Sequence, residues 1–304
     1  MEKLKILIIG GTGFLGSPLV AKLHEKGHQI RVLSRGGSKK NVIHKNIEYI
    51  KADVSNTQIL SRAIDGIDYI YYFASTTNPK RSEDDLIFDL SSNLIPVINV
   101  LHQCVNKKIK KIIFCSSGGS VYGNQGKNPI SETSYCEPVS SYGLVKLTIE
   151  NYIKYFNYRY DLNYEILRLS NPYGANQLTD GTFGIIPSYI NAVTNNKIVN
   201  IYGDGKIVRD YIHIDDFISL NLKLLTTNKK NNILNVGTGI GTSINQLIQK
   251  IELHSGKKAK VQYLPKRKFD VSINYLDIKK VKEIYGWQPK IFLDDGLKSY
   301  IKSL

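Results

Sequence analysis

The feature that most constrains this chain lies in its first sixteen residues. A strand-like run, Lys5–Ile9, passes through Gly10-Gly11-Thr12-Gly13-Phe14-Leu15-Gly16 directly into a helical pattern over Gly16–Lys26. Glycines at 10, 13 and 16 leave the backbone bare where a dinucleotide pyrophosphate must approach, and the helix that follows offers free N–H groups and the positive end of its dipole. The next strand, Gln29–Leu33, ends about twenty residues further on, the spacing that a dinucleotide-binding βαβ unit requires. The alternative is a tight turn that holds no ligand.

The pattern continues as an alternation. Strands are predicted at Ile47–Lys51, Tyr69–Phe73, Ile112–Cys115 and Tyr164–Leu169, with helices at Thr57–Ile64, Asp85–Asn106 and Ser141–Tyr160. Strands and helices in alternation predict an α/β fold, a doubly wound parallel sheet of Rossmann type with helices on both faces. Pro172 and Gly174 break the rhythm. Residues 1–170 are therefore read as the dinucleotide-binding domain, and residues 171–304 mainly as a smaller α+β substrate lobe interleaved with it, punctuated by turns at Gly203-Asp204-Gly205, Gly237-Thr238-Gly239 and Gly286. The 304 residues suit two units of roughly 150 each.

The second strand leads into Ser34-Arg35. A carboxylate there would take the adenosine ribose hydroxyls and favour NAD; Arg35 beside Ser34 instead suits a 2′-phosphate and favours NADP, unless it is simply solvated. Asp53-Val54, after the third strand, falls where a contact to the adenine edge is expected.

Composition narrows the classes further. With 42% hydrophobic and 22% charged residues the chain is neither disordered nor collagenous. No run approaches the roughly 18 apolar residues that span a bilayer, and the N-terminus lacks the features of a signal peptide. Three cysteines (Cys104, Cys115, Cys136) form no metal-ligand spacing. A reducing, cytoplasmic setting follows as the expectation. The charge of +15, 41 basic against 26 acidic residues, is spread along the chain in short lysine clusters, Lys266-Arg267-Lys268 among them. No nucleic-acid-binding motif accompanies it, so solvated faces explain most of it, an anionic substrate or surface the rest, and no nucleic-acid partner is expected.

Tyr142-Gly143-Leu144-Val145-Lys146 places a phenol and an amine four residues apart, hence on one helix face. A free phenol has a pKa of about 10. A neighbouring ammonium and a positively charged nicotinamide ring would lower it, making the pair a general acid/base on a sugar hydroxyl or carbonyl. Tyr275…Lys279 has the same spacing. The position of Tyr142, after the glycine turn and after the Ser116-Ser117 strand end, selects it.

Assembled in order, these residues resemble the extended short-chain dehydrogenase/reductase superfamily, in particular its nucleotide-sugar epimerases. The resemblance rests on Gly10…Gly16, Phe73-Ala74, Asn93, Ser116-Ser117-Gly118-Gly119-Ser120-Val121-Tyr122-Gly123, Tyr142…Lys146 and Asn171-Pro172-Tyr173-Gly174. It continues through Gly203…Gly205, Arg209-Asp210-Tyr211, Asn235…Gly239, Arg267-Lys268-Phe269-Asp270 and Gly286-Trp287-Gln288-Pro289. It implies that Gly10, Gly13, Phe14, Leu15, Gly16, Ser34, Arg35, Asp53, Val54, Phe73, Ala74, Ser75, Asn93 and Ser116 line NAD or NADP, together with Tyr142 and Lys146. It also implies that Ser120, Asn171, Asn200, Tyr202, Arg209 and Arg267 hold a nucleoside-diphosphate sugar, the arginines clamping its pyrophosphate. Arg209 beside Asp210 also reads as a plain ion pair, and Asn171 before a proline as a turn residue. Family dimers form through two helices per subunit, here Asp85–Asn106 and Ser141–Tyr160, so a homodimer is expected.

Two departures stand out. Members usually carry Ser or Thr where this chain has Gly118, so Ser117, or Ser120 further on, must supply the catalytic hydroxyl. Ser34-Arg35 departs from the acidic residue of NAD-holding epimerases. An absence matters too: related 4,6-dehydratases carry an Asp-Glu pair where this chain has Gly119 and Ser120, so elimination of water lacks a general acid.

The leading expectation is C4 epimerisation of a nucleoside-diphosphate sugar, and the rival is an NADPH-dependent 4-keto-sugar reductase. A non-catalytic redox sensor or RNA scaffold is disfavoured by Tyr142 and Lys146 together. Asn274, seven residues beyond Arg267, falls where the resembling epimerases gate room for a 2-N-acetyl group. It points to acceptance of N-acetylated hexoses.

Overall fold

A computed structural model describes residues 3–36, 46–174, 177, 184–267 and 270–304. Lys268 and Phe269 of the arginine segment lie outside the described residues.

The chain divides into two compact units that interleave in sequence. The first comprises Met1–Ser117, Ser140–Arg168 and Asn221–Leu234; the second comprises Gly118–Val139, Leu169–Leu220 and Asn235–Leu304. Both units thus borrow segments from across the expected boundary at residue 170.

The first half contains β1 (Lys5–Ile9), α1 (Gly16–Glu25), β2 (Gln29–Ser34), β3 (Glu48–Lys51), α2 (Thr57–Ile64), β4 (Tyr69–Tyr72), α3 (Arg81–Asp84), α4 (Leu86–Asn106), β5 (Lys111–Ser117), α5 (Ser141–Tyr160) and β6 (Tyr164–Leu169). The second half adds β7 (Asn171–Tyr173), α6 (Ile185–Thr194), β8 (Ile198–Tyr202), β9 (Val208–His213), α7 (Ile214–Leu224), β10 (Asn232–Val236), β11 (Gly241–Ser243), α8 (Ile244–Ser255), β12 (Lys260–Leu264), β13 (Ile273–Asn274), α9 (Lys279–Tyr285) and α10 (Leu293–Lys302).

A seven-stranded sheet runs β10-β6-β5-β4-β1-β2-β3. The pairings from β3 to β5 are parallel. The chain winds outward from β1 through β2 to β3, then returns to place β4 on the other side of β1, so the order reverses at β1/β4 as in Rossmann folds. β1 is buried from Ile6 to Ile9, as a central parallel strand covered on both faces must be. α4 starts one residue later than the sequence suggests because Asp85 caps it: its backbone is extended, and its carboxylate accepts from Phe88 N at 2.8 Å.

β6 is buried along its whole length although it carries Glu165 and Arg168. Arg168 is satisfied by Glu150 of α5: Nη2 donates to Oε2 at 2.7 Å and Nε to both carboxylate oxygens at 3.2 Å. Ser116 of β5 donates to the same carboxylate.

In the second unit β9 is the organising strand. It pairs with β11 antiparallel and with β7 and β13 in parallel. β8 and β12 form a separate parallel pair. A core of α6, α8 and α10 side chains, including Ile190, Leu247, Ile251 and Leu297, packs around Tyr173 and Tyr211.

Removing one partner of a buried ion pair leaves an uncompensated charge, which costs about 3–5 kcal/mol. Arg168→Ala is therefore expected to lower the unfolding free energy by about that amount in urea titrations, while the paired replacement Glu150→Gln/Arg168→Met recovers most of it.

Candidate active site

The glycine turn is built by close approach. Gly10 has a φ of +86°, and a Cβ there would sit 2.8 Å from Ala74 N, so the end of β4 could not pass. A Cβ on Gly16 would strike the Gly10 carbonyl oxygen. Gly10 N donates to Leu33 O at 2.8 Å and Gly13 N to Gly10 O at 3.0 Å, which ties the turn to β2 and to itself. α1 then begins at Leu15-Gly16 with no side-chain cap and no acidic residue in its first turn. A helix start left open in this way is an anion site. The turn therefore fits the dinucleotide pyrophosphate, with Gly10, Gly13, Phe14, Leu15 and Gly16 around it.

The neighbouring residues are accounted for one by one. Thr12 Oγ1 shares a hydrogen with Ser34 Oγ at 2.6 Å and donates to Gly36 O at 3.0 Å, pinning the end of β2 to the turn. Arg35 stands between, with Nε 3.8 Å from Asp53 Oδ2. Asp53 accepts from Ser55 N at 2.8 Å, and this bond is the main cause that holds its carboxyl below the usual range. Val54 packs against the hydrophobic core, and Phe73 and Ala74 are partly buried at the end of β4. Asn93 is occupied internally: its Oδ1 accepts from Thr76 N at 2.9 Å, and its Nδ2 donates to Thr77 Oγ1 and to Asp89 Oδ1, each at 3.0 Å. Ser116 is spent on Glu150.

α5, in contrast with α1, has a closed N-terminus. Ser141 N donates to Glu83 Oε1 at 2.9 Å, Tyr142 N to Ser82 Oγ at 3.1 Å, and Gly143 N to Ser140 Oγ at 3.2 Å. Ser141 Oγ donates to Asp89 Oδ2 at 2.7 Å. The first turn of α5 is thus locked onto α3 and α4, and Tyr142 with it.

The sequence leads one to expect an acidified phenol; here its pKa is raised. Burial is the main cause, and the nearby Cys115 and Asp89 add to it; only the Ser75 hydroxyl opposes. Lys146 Nζ donates to Cys115 O at 3.0 Å and lies 5.6 Å from the Tyr142 ring centroid. Lys146 is itself buried, and burial lowers its pKa against the opposing pull of Asp89 and Glu150. Asp89, Lys146, Glu150 and Arg168, each under 10% exposed, balance to zero charge.

The sequence reading missed Asp89 and the role of Ser75. A signal for Asp89 was present: it lies four residues before Asn93, one helical turn away on α4. Ser117, expected as the catalytic hydroxyl, ends β5 and is partly buried.

Of the substrate residues, Arg209 stands on β9 opposite Thr242 of β11 and Asn274 of β13, while Asn171 of β7 stands opposite Tyr211. Arg209 does not pair with Asp210, which accepts instead from Thr238 N at 2.8 Å, Thr238 Oγ1 at 2.7 Å and Gly239 N at 3.1 Å. Burial lowers the pKa of Arg209, and the nearby charge of Arg267 adds to this. Arg267 is held by Asp270 through two bonds of 2.8 and 2.9 Å and lies 4.3 Å over the Tyr202 ring. The second unit therefore gathers two guanidiniums at one place. The buried Tyr211 hydroxyl beside them has no hydrogen-bond partner among the described residues and was not foreseen. Asn171 Nδ2 donates to Asp210 O at 3.1 Å, and the Asn200 carbonyl accepts from Tyr189 at 3.0 Å. Ser120 is buried. Asn274 is wholly buried, with Nδ2 donating to Gly118 O at 3.0 Å and Oδ1 unpartnered.

Among the described residues no His/Cys/Asp/Glu group could hold a metal ion, and no helix is long and apolar enough to cross a membrane.

Asp89→Asn removes a negative charge facing the phenol, so the Tyr142 titration should move to lower pH. NMR of ring-labelled tyrosine, assigned with Tyr142→Phe, reads this directly; an unmoved or raised midpoint would remove Asp89 from the electrostatics of the site.

Known proteins agree with this geometry. The sequence profile of the NAD dependent epimerase/dehydratase family matches residues 6–237. A candidate UDP-glucose 4-epimerase of Methanocaldococcus jannaschii is 36% identical over 298 residues, covering 97% of each chain. A dTDP-4-dehydro-6-deoxyglucose reductase of Escherichia coli is 32% identical, covering 98% of this chain and 97% of its own. The crystal structure of the UDP-glucose 4-epimerase of Thermotoga maritima with UDP-glucose superposes with a TM-score of 0.94 at 33% identity, covering 98% of both chains. The glycine turn, the reversed strand order and these likenesses together place the chain in the NAD dependent epimerase/dehydratase family, within the extended short-chain dehydrogenase/reductases that use NAD or NADP.

Proposed function

We propose that this protein interconverts the C4 epimers of a nucleoside-diphosphate hexose, through a 4-keto intermediate. The observation that carries the proposal is the Tyr142 phenol, with Lys146 Nζ 5.6 Å from its ring centroid, on a helix start locked in place by Ser82, Glu83 and Asp89. A proton-transfer group must be held this firmly to act on one hydroxyl. Tyr142 takes the proton of the sugar 4-hydroxyl and later returns one. Lys146 and Ser75 stabilise the phenolate in the interval. A bound dinucleotide would supply reversible hydride exchange at C4 and a positive charge that favours the phenolate of Tyr142. In the second unit, Arg209 and Arg267 take the diphosphate of the substrate. Asn200 and Tyr202 border the nucleotide base, and Asn171 and Ser120 bind the sugar. Ser117 stands as a second hydroxyl for the reacting oxygen. An N-acetylated hexose is included on the position of Asn274, seven residues beyond Arg267 and opposite Arg209 in the sheet.

Reduction of a 4-keto sugar by NADPH is the second reading. It is supported by Arg35 in place of a carboxylate and by the likeness to the Escherichia coli reductase. Turnover with only trace dinucleotide separates the two: an epimerase recycles it, whereas a reductase consumes one equivalent per turnover. Tyr142→Phe should cost about 10²–10⁴-fold in turnover. Its dinucleotide affinity should change little, since one oxygen is lost. Activity of that variant near the wild-type level would exclude Tyr142 as the acid/base.

The protein also acts, we propose, as a homodimer. α4 exposes Leu86, Ile87, Phe88, Leu90 and Ile95, and its packing partner α5 exposes Leu144, Tyr152, Tyr155 and Tyr158. So much apolar side chain on two adjoining helices marks an association surface. In light scattering after gel filtration, the wild type should have twice the chain mass of 34.3 kDa and Leu90→Asp/Leu144→Asp the monomer mass. A monomeric wild type at micromolar concentration would refute the assignment.

A further inference from the structure

We infer that the cleft beside the glycine turn recognises an extra phosphate on the adenosine ribose, so that this chain prefers NADP(H) over NAD(H). This rests on the dinucleotide-dependent reading above and adds Arg81 as a recognition residue.

The cleft measures about 330 Å³ and is lined by Arg35, Thr76, Thr77, Arg81, Asp84 and Phe88. That is room for a phosphorylated ribose rather than for a whole dinucleotide. Its position follows from the sheet. Arg35 immediately follows β2, and Thr76-Thr77 follow the end of β4; β2 and β4 are the two strands that flank β1. Both walls are fixed to the turn that follows β1. Ser34 and Gly36, on either side of Arg35, are bonded to Thr12. On the other side, the β4 end at Ala74 packs so closely on Gly10 that no Cβ fits between them. Ligands of doubly wound sheets bind at this point of strand-order reversal.

The chemistry of the lining favours a phosphate. Two guanidiniums face the cleft against the single carboxylate of Asp84. Arg81 sits on α3 with no ion pair to its guanidinium among the described residues. Among the described residues Arg35 reaches only Asp53, at 3.8 Å and with both side chains about half exposed, a contact weak enough to exchange for a dianion. Planar guanidinium forks match phosphate oxygens in pairs. At the end of β2, where a carboxylate would hold the ribose hydroxyls, stand only Ser34 and Arg35. The hydroxyls of Thr76 and Thr77 are already engaged, with Ser92 and Asp89, so they shape the wall and leave the charge to the arginines.

Calorimetric titration of the full-length protein tests this without sugar substrate. NADPH should bind about tenfold or more tightly than NADH, and adenosine 2′,5′-bisphosphate should exceed AMP likewise, as charged hydrogen bonds imply. Arg35→Ala and Arg81→Ala should each reduce the NADPH:NADH affinity ratio several-fold, and the double variant should bring it near one. The ratio should also fall with added salt, because both arginines are exposed. Equal affinities in the wild type, or a ratio unchanged in Arg81→Ala, would overturn the assignment while leaving the dinucleotide reading intact. Binding of neither dinucleotide would overturn both.

Discussion

The site depends on a contact that only glycine permits. Gly10 touches the backbone of Ala74, and Gly16 touches the carbonyl of Gly10. Through these approaches β1, its turn and α1 close against the end of β4, and the start of α1 is left without a side-chain cap. Any larger residue at either position would push α1 away from the sheet and displace the N–H groups that meet a phosphate. The rest of the first unit follows: strand ends after β2 and β4 are held against this turn, and the residues they carry are thereby aimed at one ligand.

A second constraint governs the proton chemistry. Lys146 is enclosed with Asp89 and Glu150 beside the partly buried Tyr142, and Arg168 completes the balance of charge. Burial pushes the amine down and the phenol up, so the phenol is biased toward its protonated form. A residue prepared in this way holds its proton until a positive charge arrives nearby. The lysine ammonium donates to the Cys115 carbonyl and stands beside the Tyr142 ring. The acidifying partner in the structure is Ser75, which stands at the end of β4 where the glycine turn fixes it. Positive charge brought by a bound nicotinamide would complete the change, which couples proton transfer to occupancy of the cofactor site.

Much of the first unit was legible because its elements are locally encoded. Lys5–Ile9, Thr57–Ile64 and Tyr164–Leu169 begin and end where their residue patterns change. Boundaries moved where a side chain intervened, as at Asp85, which leaves the helix to cap it. The sequence leads one to expect strands from later segments in this sheet but does not place the seventh, Asn232–Val236, because a five-residue run gains its identity only from β6, its neighbour in the sheet but distant in the chain. The site divides in the same way. Gly10–Gly16 and Tyr142/Lys146 announce themselves by spacing. Asp89 and Ser75 act through contacts between segments far apart in sequence, and Arg209 parts from Asp210 because adjacent residues on a strand face opposite ways.

The central claim is that Tyr142 moves a proton while hydride leaves C4 and returns to it. The most direct measurement is to incubate the protein with UDP-glucose and trace dinucleotide in deuterated water, then examine the sugar by NMR and mass spectrometry. The account predicts a C4 epimer that retains its original hydrogen at C4, since a hydride carried on the dinucleotide does not exchange with solvent. An epimer bearing deuterium at C4, formed by loss and return of a proton at carbon, would contradict it.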